Sequence, residues 1–105
     1  MDYSILADTY EKLEEVSSKL KKTEILAELF SKTPSEELPK VVLLSQGVVY
    51  PKFTGLELGI ATQMMIKAIA KASGFSADDI EKKFKKTGDL GLAAEESTKS
   101  RRQAT

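Results

Sequence analysis

Apolar and polar residues are distributed along most of the chain with the period of an α-helix. In residues 4–20, apolar side chains recur every three or four positions, which is the spacing of one buried helix face. The pattern returns in residues 23–32, 39–46, 56–73 and 77–86. No stretch keeps a period of two for long enough to build a sheet. The sequence therefore predicts an all-α fold, a compact bundle of about five to six short helices.

Glycines and capping residues mark the predicted helix ends. Gly47, Gly74 and Gly88 each follow a helical segment, where glycine tolerates the left-handed conformation that closes a helix. Thr23 is the expected cap of the second helix, because a threonine hydroxyl can accept a hydrogen bond from the first turn. The apolar run at residues 41–44 leaves the third helix little polar surface, so we expect this helix at the centre of the core.

A Gly-Asp pair separates the lysine-rich fifth helix from a sixth segment of small residues. Asp89 is placed to cap that segment, and the first amides of a helix, with the positive end of its dipole, can bind an anion such as a nucleic-acid phosphate. An ordinary turn between two helices, with no ligand, explains the same pattern. A capping aspartate also competes with a phosphate for the amides. Both interpretations stay open on this pattern alone.

The amino-acid composition excludes several kinds of catalytic and metal-binding site. The 105 residues include no cysteine and no histidine, which excludes disulfides, thiol chemistry, histidine base catalysis and the usual zinc sites. The net charge of zero argues against a strongly basic nucleic-acid binder. The charge is uneven, however, since residues 1–40 carry a net of −3 and residues 81–105 a net of +3.

Neither independent catalysis nor a membrane segment is expected. Neighbouring carboxylates diverge by about 100° on a helix, so the adjacent acidic pairs cannot share a substrate, and no phosphate-binding Gly-x-x-x-x-Gly-Lys loop occurs. The longest uncharged run, residues 41–51, is too short to span a bilayer, and the N-terminus lacks the pattern of a signal peptide.

The string at residues 87–97, Thr-Gly-Asp-Leu-Gly-Leu-Ala-Ala-Glu-Glu-Ser, closely resembles a segment of the N-terminal DNA-binding domain of archaeal and eukaryotic ATP-dependent DNA ligases. Further matches occur upstream in the expected order, and together they cover essentially the whole chain. They are Asp8-x-Tyr10-x-x-Leu13, Val42-x-Leu44-x-x-Gly47-x-x-Tyr50-Pro51, Glu57-Leu58-Gly59-Ile60 and Ile66-Lys67-Ala68-Ile69.

The resemblance implies the first half of that DNA-binding domain, in a truncated chain. Residues 1–96 would form the helical core and residues 97–105 a basic, polar and flexible tail. The Lys-x-Asp-Gly nucleophile of the family's adenylation domain is absent from this sequence, so no catalytic centre is expected here. The implied location is intracellular, whether cytoplasmic or nucleoid-associated, or nuclear in a eukaryote.

The implied parent enzyme seals nicks in duplex DNA during replication, repair and recombination, using ATP and Mg²⁺. This chain would hold no cofactor and would grip the phosphate backbone of nicked DNA from the minor-groove side. Its other partners would be the adenylation and OB-fold domains of the parent ligase, with non-physiological self-association expected of a truncated domain. A helical protein–protein interaction module without nucleic-acid binding is the alternative.

Candidate DNA contacts cluster toward the C-terminal end. The backbone amides of Gly88, Leu90 and Gly91 are the predicted phosphate donors. Supporting contacts are expected from polar and basic side chains, and three helix lysines are secondary candidates because such residues often only face solvent. The supporting residues are Thr87, Thr98, Lys99, Ser100, Arg101 and Arg102, and the secondary ones are Lys82, Lys85 and Lys86.

Overall fold

The structure, a computed structural model, describes residues 3–52 and 57–103. Two short 3-10 turns, Ser35–Glu37 and Tyr50–Lys52, flank the third helix. The described residues form no β-strand, which confirms the predicted all-α fold. The six helices in chain order are α1 (Tyr3–Glu15), α2 (Lys19–Lys32), α3 (Leu38–Val49), α4 (Leu58–Ser73), α5 (Ala77–Thr87) and α6 (Leu90–Gln103).

Four of the helices close a ring around the core. In this ring α2 contacts α4, α4 contacts α6, α6 contacts α3, and α3 returns to α2. Helix α1 packs on α2 and α3, and α5 packs on α4 and α6. The radius of gyration is 12.7 Å, close to the value of about 13 Å for a compact domain of this size. The predicted compact bundle of short helices is therefore confirmed.

The core is not centred on α3 as predicted. Val41 and Val42 are buried, but Leu43 and Leu44 lie on the surface with 67% and 40% of their area exposed. Helix α4 instead supplies a nearly continuous buried face, because it packs against three neighbouring helices. Its buried apolar residues are Ala61, Met64, Met65, Ile66, Ala68, Ile69 and Ala70.

Several helix ends differ from the predicted ones. The first helix ends at Glu15, and Ser18 rather than Thr23 caps α2, accepting a first-turn amide hydrogen bond of 3.3 Å. Thr23 is buried inside α2, where its hydroxyl bonds a backbone carbonyl one turn earlier. Gly47 lies within α3 and does not end it. The predicted start of the fourth helix at Leu56 lies outside the described residues.

Helix α6 is packed closely against α3. A Cβ atom added to Gly91 would lie 2.6 Å from Pro39 Cα, so the two backbones are in direct contact at this point. Further along α6, the Thr98 hydroxyl donates a hydrogen bond of 3.1 Å to Ser35 Oγ in the first 3-10 turn. The helix continues through Gln103 with no break at residue 96, the predicted boundary between core and tail.

Candidate nucleic-acid interface

The turn between α5 and α6 has the predicted backbone geometry. Gly88 ends α5 in the left-handed conformation with a φ of 74°. The Asp89 carboxylate caps α6 by accepting a hydrogen bond of 3.1 Å from the amide of Leu92. The Thr87 hydroxyl donates to Lys83 O at 2.9 Å and accepts from the Asp89 amide at 3.3 Å. The polar groups of the turn thus bond mainly to one another.

The three amides predicted to bind phosphate do not form an exposed cradle. The Gly88 amide already donates a hydrogen bond of 2.7 Å to Phe84 O, as the closing residue of a helix does. Leu90 is only 3% exposed, and Gly91 is buried against the backbone of Pro39. Because each amide is either bonded or shielded by packing, we correct the prediction that they are the phosphate donors.

Thr98 is also placed differently from the prediction. Only 2% of its surface is exposed, and its hydroxyl contacts Ser35 Oγ and the Ala94 carbonyl of its own helix. A side chain that is this buried and already hydrogen-bonded cannot reach DNA without unpacking α6. Thr98 is therefore a packing residue between α6 and the first 3-10 turn.

The remaining C-terminal candidates lie far from the turn. Lys99 and Ser100 are exposed on α6, and at 1.5 Å per residue they lie about 14 Å along the helix from Leu90. Arg101 and Arg102 continue the backbone of α6, while their side chains lie outside the described part of the structure. Lys99 and Ser100 therefore lie toward the C-terminal end of α6, while a contribution from Arg101 and Arg102 stays a prediction.

The three secondary candidates form an exposed lysine face on α5. Lys82, Lys85 and Lys86 are all exposed, and the last two lie in the final helical turn beside Gly88. Lys85 Nζ lies 3.8 Å from Glu81 Oε1, but its side chain is 75% exposed, so this ion pair is weak and easily exchanged for another anion. We call these three residues the lysine face.

Lys83 differs from its neighbours on α5. Its ammonium nitrogen lies 5.6 Å from the centroid of the Phe75 ring and 3.9 Å from Glu96 Oε1, and the side chain is largely covered. This arrangement ties α5 to α6 and to the α4–α5 connection. Because only Gly88 and Asp89 separate the two helices, the N-terminus of α6 lies at the lysine-rich end of α5.

Sequence reasoning missed a groove between α3 and the α5–α6 turn. This α3 groove has a volume of about 640 Å³, and its second wall is formed by Phe84 and residues 88–90. Its lining also includes Tyr50 and Thr62, whose hydroxyls share a hydrogen bond of 2.9 Å. The sequence signal was a stripe on one face of α3, at the spacing of a helix, made of Lys40, Leu43, Gln46 and the following Tyr50.

The described residues hold no cluster of three or more side chains suited to bind a metal ion. Within the same residues, no helix combines the length and apolar character needed to cross a membrane.

Comparison with known proteins identifies the family. Residues 2–105 match the family described as "DNA ligase N terminus", and the chain belongs to this family. It is 50% identical over 95 residues to DNA ligase 2 of Thermofilum pendens, which covers 90% of the chain and 16% of that relative. It is 45% identical over 105 residues to the DNA ligase of Nitrosopumilus maritimus, covering the whole chain and 18% of that relative.

A third relative is also a DNA ligase. The chain is 46% identical over 96 residues to the DNA ligase of Staphylothermus marinus. That match covers 90% of the chain and 16% of the relative. The chain thus spans less than a fifth of the length of the curated relatives it matches. No solved structure gives a significant match to it.

Proposed function

We propose that this chain is a DNA-binding part of an ATP-dependent DNA ligase that seals nicks in duplex DNA during replication, repair and recombination. Its membership of the DNA ligase N-terminal family supports the proposal. The chain would position nicked DNA for catalysis carried out elsewhere, which lowers the entropic part of the barrier. In such a parent, ATP and Mg²⁺ would be bound by an adenylation domain that works together with an OB-fold domain.

The observation that carries the proposal is the lysine face. Lys82, Lys85 and Lys86 are exposed on one helix, where phosphates can replace the solvent around them. Lys99 offers a second cationic contact on α6.

Salt-dependent binding tests this proposal. Replacing Lys86 by alanine should weaken binding of nicked duplex DNA and reduce the slope of log K against log salt by about 0.9, the value for one lost phosphate contact. Fluorescence anisotropy titrations at several salt concentrations measure both quantities. Lys21→Ala is the matched control, because Lys21 is also exposed but lies on α2. Equal slopes for Lys86→Ala and the unmodified chain would remove the lysine face from the interface.

A different surface favours the second candidate, a protein-interaction module. Leu20 is 67% exposed and Ile60 is 42% exposed, and both line a groove between α2 and α4. Exposed apolar side chains in a groove are common at protein–protein contacts. Association of the chain with a protein partner that persists at high salt, together with absent DNA binding, would support this candidate instead.

A further inference from the structure

Two grooves beside the contact between α2 and α4 form one continuous surface. The first, of about 600 Å³, is the groove that holds Leu20 and Ile60, and the second, of about 420 Å³, extends from it to the start of α5. Leu20, Thr23 and Lys67 line both, so the two grooves meet at these residues. We call the whole surface the α2–α4 groove.

Apolar side chains lie along the whole α2–α4 groove. Leu20, where its two parts meet, is 67% exposed, and Ile60 at one end is 42% exposed. Phe75 and Ala77 are half-buried at the other end. A partner that covers these side chains removes apolar surface from water, which stabilises the complex. The groove therefore suits a ligand with an apolar face.

The charged side chains in the lining are all positive. They are Lys19, Lys67 and Lys71, all exposed, and no carboxylate lies among the described residues that line the groove. Lys71 Nζ lies 4.0 Å from Glu24 Oε1, but both side chains are more than half exposed, so this ion pair is weak. The lysines therefore favour a partner that places acidic side chains beside its apolar face.

The α2–α4 groove is long enough for a helix. Its lining on α4 extends from Gly59 to Gly74, a distance of about 22 Å at 1.5 Å per residue, which is also the length of a helix of about 15 residues. The exposed α4 residues in the lining recur every three or four positions and so form one stripe along this length. They are Ile60, Gln63, Lys67 and Lys71. An amphipathic helix that lies in an apolar groove is a recurring mode of peptide recognition.

We propose that the α2–α4 groove binds an acidic amphipathic helix of a separate protein, with Leu20 as the apolar contact and Lys67 as the charged one. Permanent interfaces are as apolar as a domain core, whereas this groove has an exposed lysine where its two parts meet, which favours a partner that exchanges. Duplex DNA gains nothing from the apolar side chains. The inference goes beyond the proposed DNA-binding function and does not depend on it.

A synthetic helix is the probe for this groove. It is a fluorescently labelled peptide of about 15 residues, with leucine along one helical face and glutamate on both sides of that face. The 105-residue chain should bind it about tenfold more tightly than a peptide with lysine in place of glutamate, or one of the same composition in scrambled order. Fluorescence anisotropy measures the affinities. Equal binding of all these peptides, or no binding of the acidic helix, would overturn the inference.

Two substitutions with matched controls locate the binding site. Leu20→Ser should weaken binding of the probe by about tenfold, because the apolar contact is lost. Leu92→Ser should change it by less than about twofold, because Leu92 is 44% exposed but lies on α6, outside the groove. Far-UV circular dichroism verifies that the variants are folded. Equal affinities of the two serine variants would overturn the inference.

The charged contact has its own pair of variants. Lys67→Ala should weaken binding of the probe by about two- to fivefold at low salt and by less at high salt. Lys21→Ala should leave it unchanged, because Lys21 is exposed on α2 but does not line the groove. Equal effects of both substitutions would contradict a specific role of Lys67 and overturn its assignment.

Further measurements separate the groove from the lysine face and from other occupants. Lys86→Ala should bind the probe as the unmodified chain does, so failure of the DNA-binding proposal leaves this inference standing, and the reverse also holds. Displacement of the probe by nicked duplex DNA, with a reduced salt slope for Lys67→Ala, would place the groove in the DNA interface and overturn the inference. If the full-length parent ligase did not bind a probe that the 105-residue chain binds, a segment of the parent would occupy the groove, which would overturn the assignment to a separate protein.

Discussion

The close contact between α3 and α6 leaves no room for a side chain at Gly91. In Gly91→Ala the new methyl group would lie 2.6 Å from Pro39 Cα and 3.0 Å from Pro39 O. Both are backbone atoms, so the contact cannot be relieved by rotating a side chain. The two helices must instead move apart, which disturbs the packing along their shared interface.

The magnitude follows from two opposing effects. Forcing an extra carbon into a packed contact costs about 1–3 kcal/mol, while replacing glycine by alanine in a helix gains up to about 1 kcal/mol. Because the atoms met at 2.6 and 3.0 Å are backbone atoms, the cost lies in the upper part of that range, about 2–3 kcal/mol. Subtracting a gain of about 1 kcal/mol leaves a net loss of about 1–2 kcal/mol in the free energy of unfolding. For a domain of this size, that loss lowers the melting temperature by about 4–16 °C.

Thermal and urea unfolding, followed by far-UV circular dichroism, measure this loss. Gly47→Ala is the matched control, because Gly47 also lies within a helix but a Cβ there meets nothing within 4 Å. It should stabilise the chain by about 0.5–1 kcal/mol through helix propensity alone. If Gly91→Ala were as stable as Gly47→Ala, the close approach of the two backbones would not constrain the fold.

Two further predictions concern local contacts. Ser76→Ala should cost about 1 kcal/mol of stability, because Ser76 Oγ caps α5 by accepting a hydrogen bond of 3.1 Å from the Asp79 amide. Ser76→Asp should retain most of that stability, because aspartate also caps helices. Equal urea midpoints for Ser76→Ala and the unmodified chain would contradict the capping role. Burial raises the pKa of the Tyr10 hydroxyl above 10.0, although its hydrogen bond with Ser45 partly offsets the effect. Folding thus favours the neutral phenol. Its contribution to the free energy of unfolding is fully present below pH 10.0 and is lost as the pH rises through the higher pKa of the folded state. Urea titrations should show the stability of the unmodified chain falling relative to Tyr10→Phe over that interval, and parallel curves would contradict the shift.

The sequence predicts a helix end correctly where the backbone conformation of a single residue sets it. Gly74 and Gly88 have positive φ angles, as the left-handed closing residue of a helix requires. Ser18 and Thr23 show the limit of such rules, because both carry a hydroxyl that can cap a helix. Burial of Thr23 between α2 and its neighbours selects Ser18 as the cap, and that burial depends on the tertiary fold.

The errors at the candidate site have a similar origin. The rule that the first amides of a helix are available for an anion takes no account of what packs over them. At Gly91 that neighbour is the backbone of Pro39, a residue far away in sequence. Likewise, the apolar run in α3 indicates its outward side only when the polar residues around it are included, because Lys40 and Gln46 share the helix face of Leu43, which lines a groove.

The hydrogen bond between Thr98 and Ser35 has a consequence for how the protein is made. Its two residues are 63 positions apart, which a ribosome covers in about 3–13 s at about 5–20 residues per second. During that interval the newly made α2 and α3 have no α6 to complete the ring around their apolar faces. Until its last helix emerges, the nascent chain must therefore bury these faces in a compact state that lacks α6, or a chaperone must shield them.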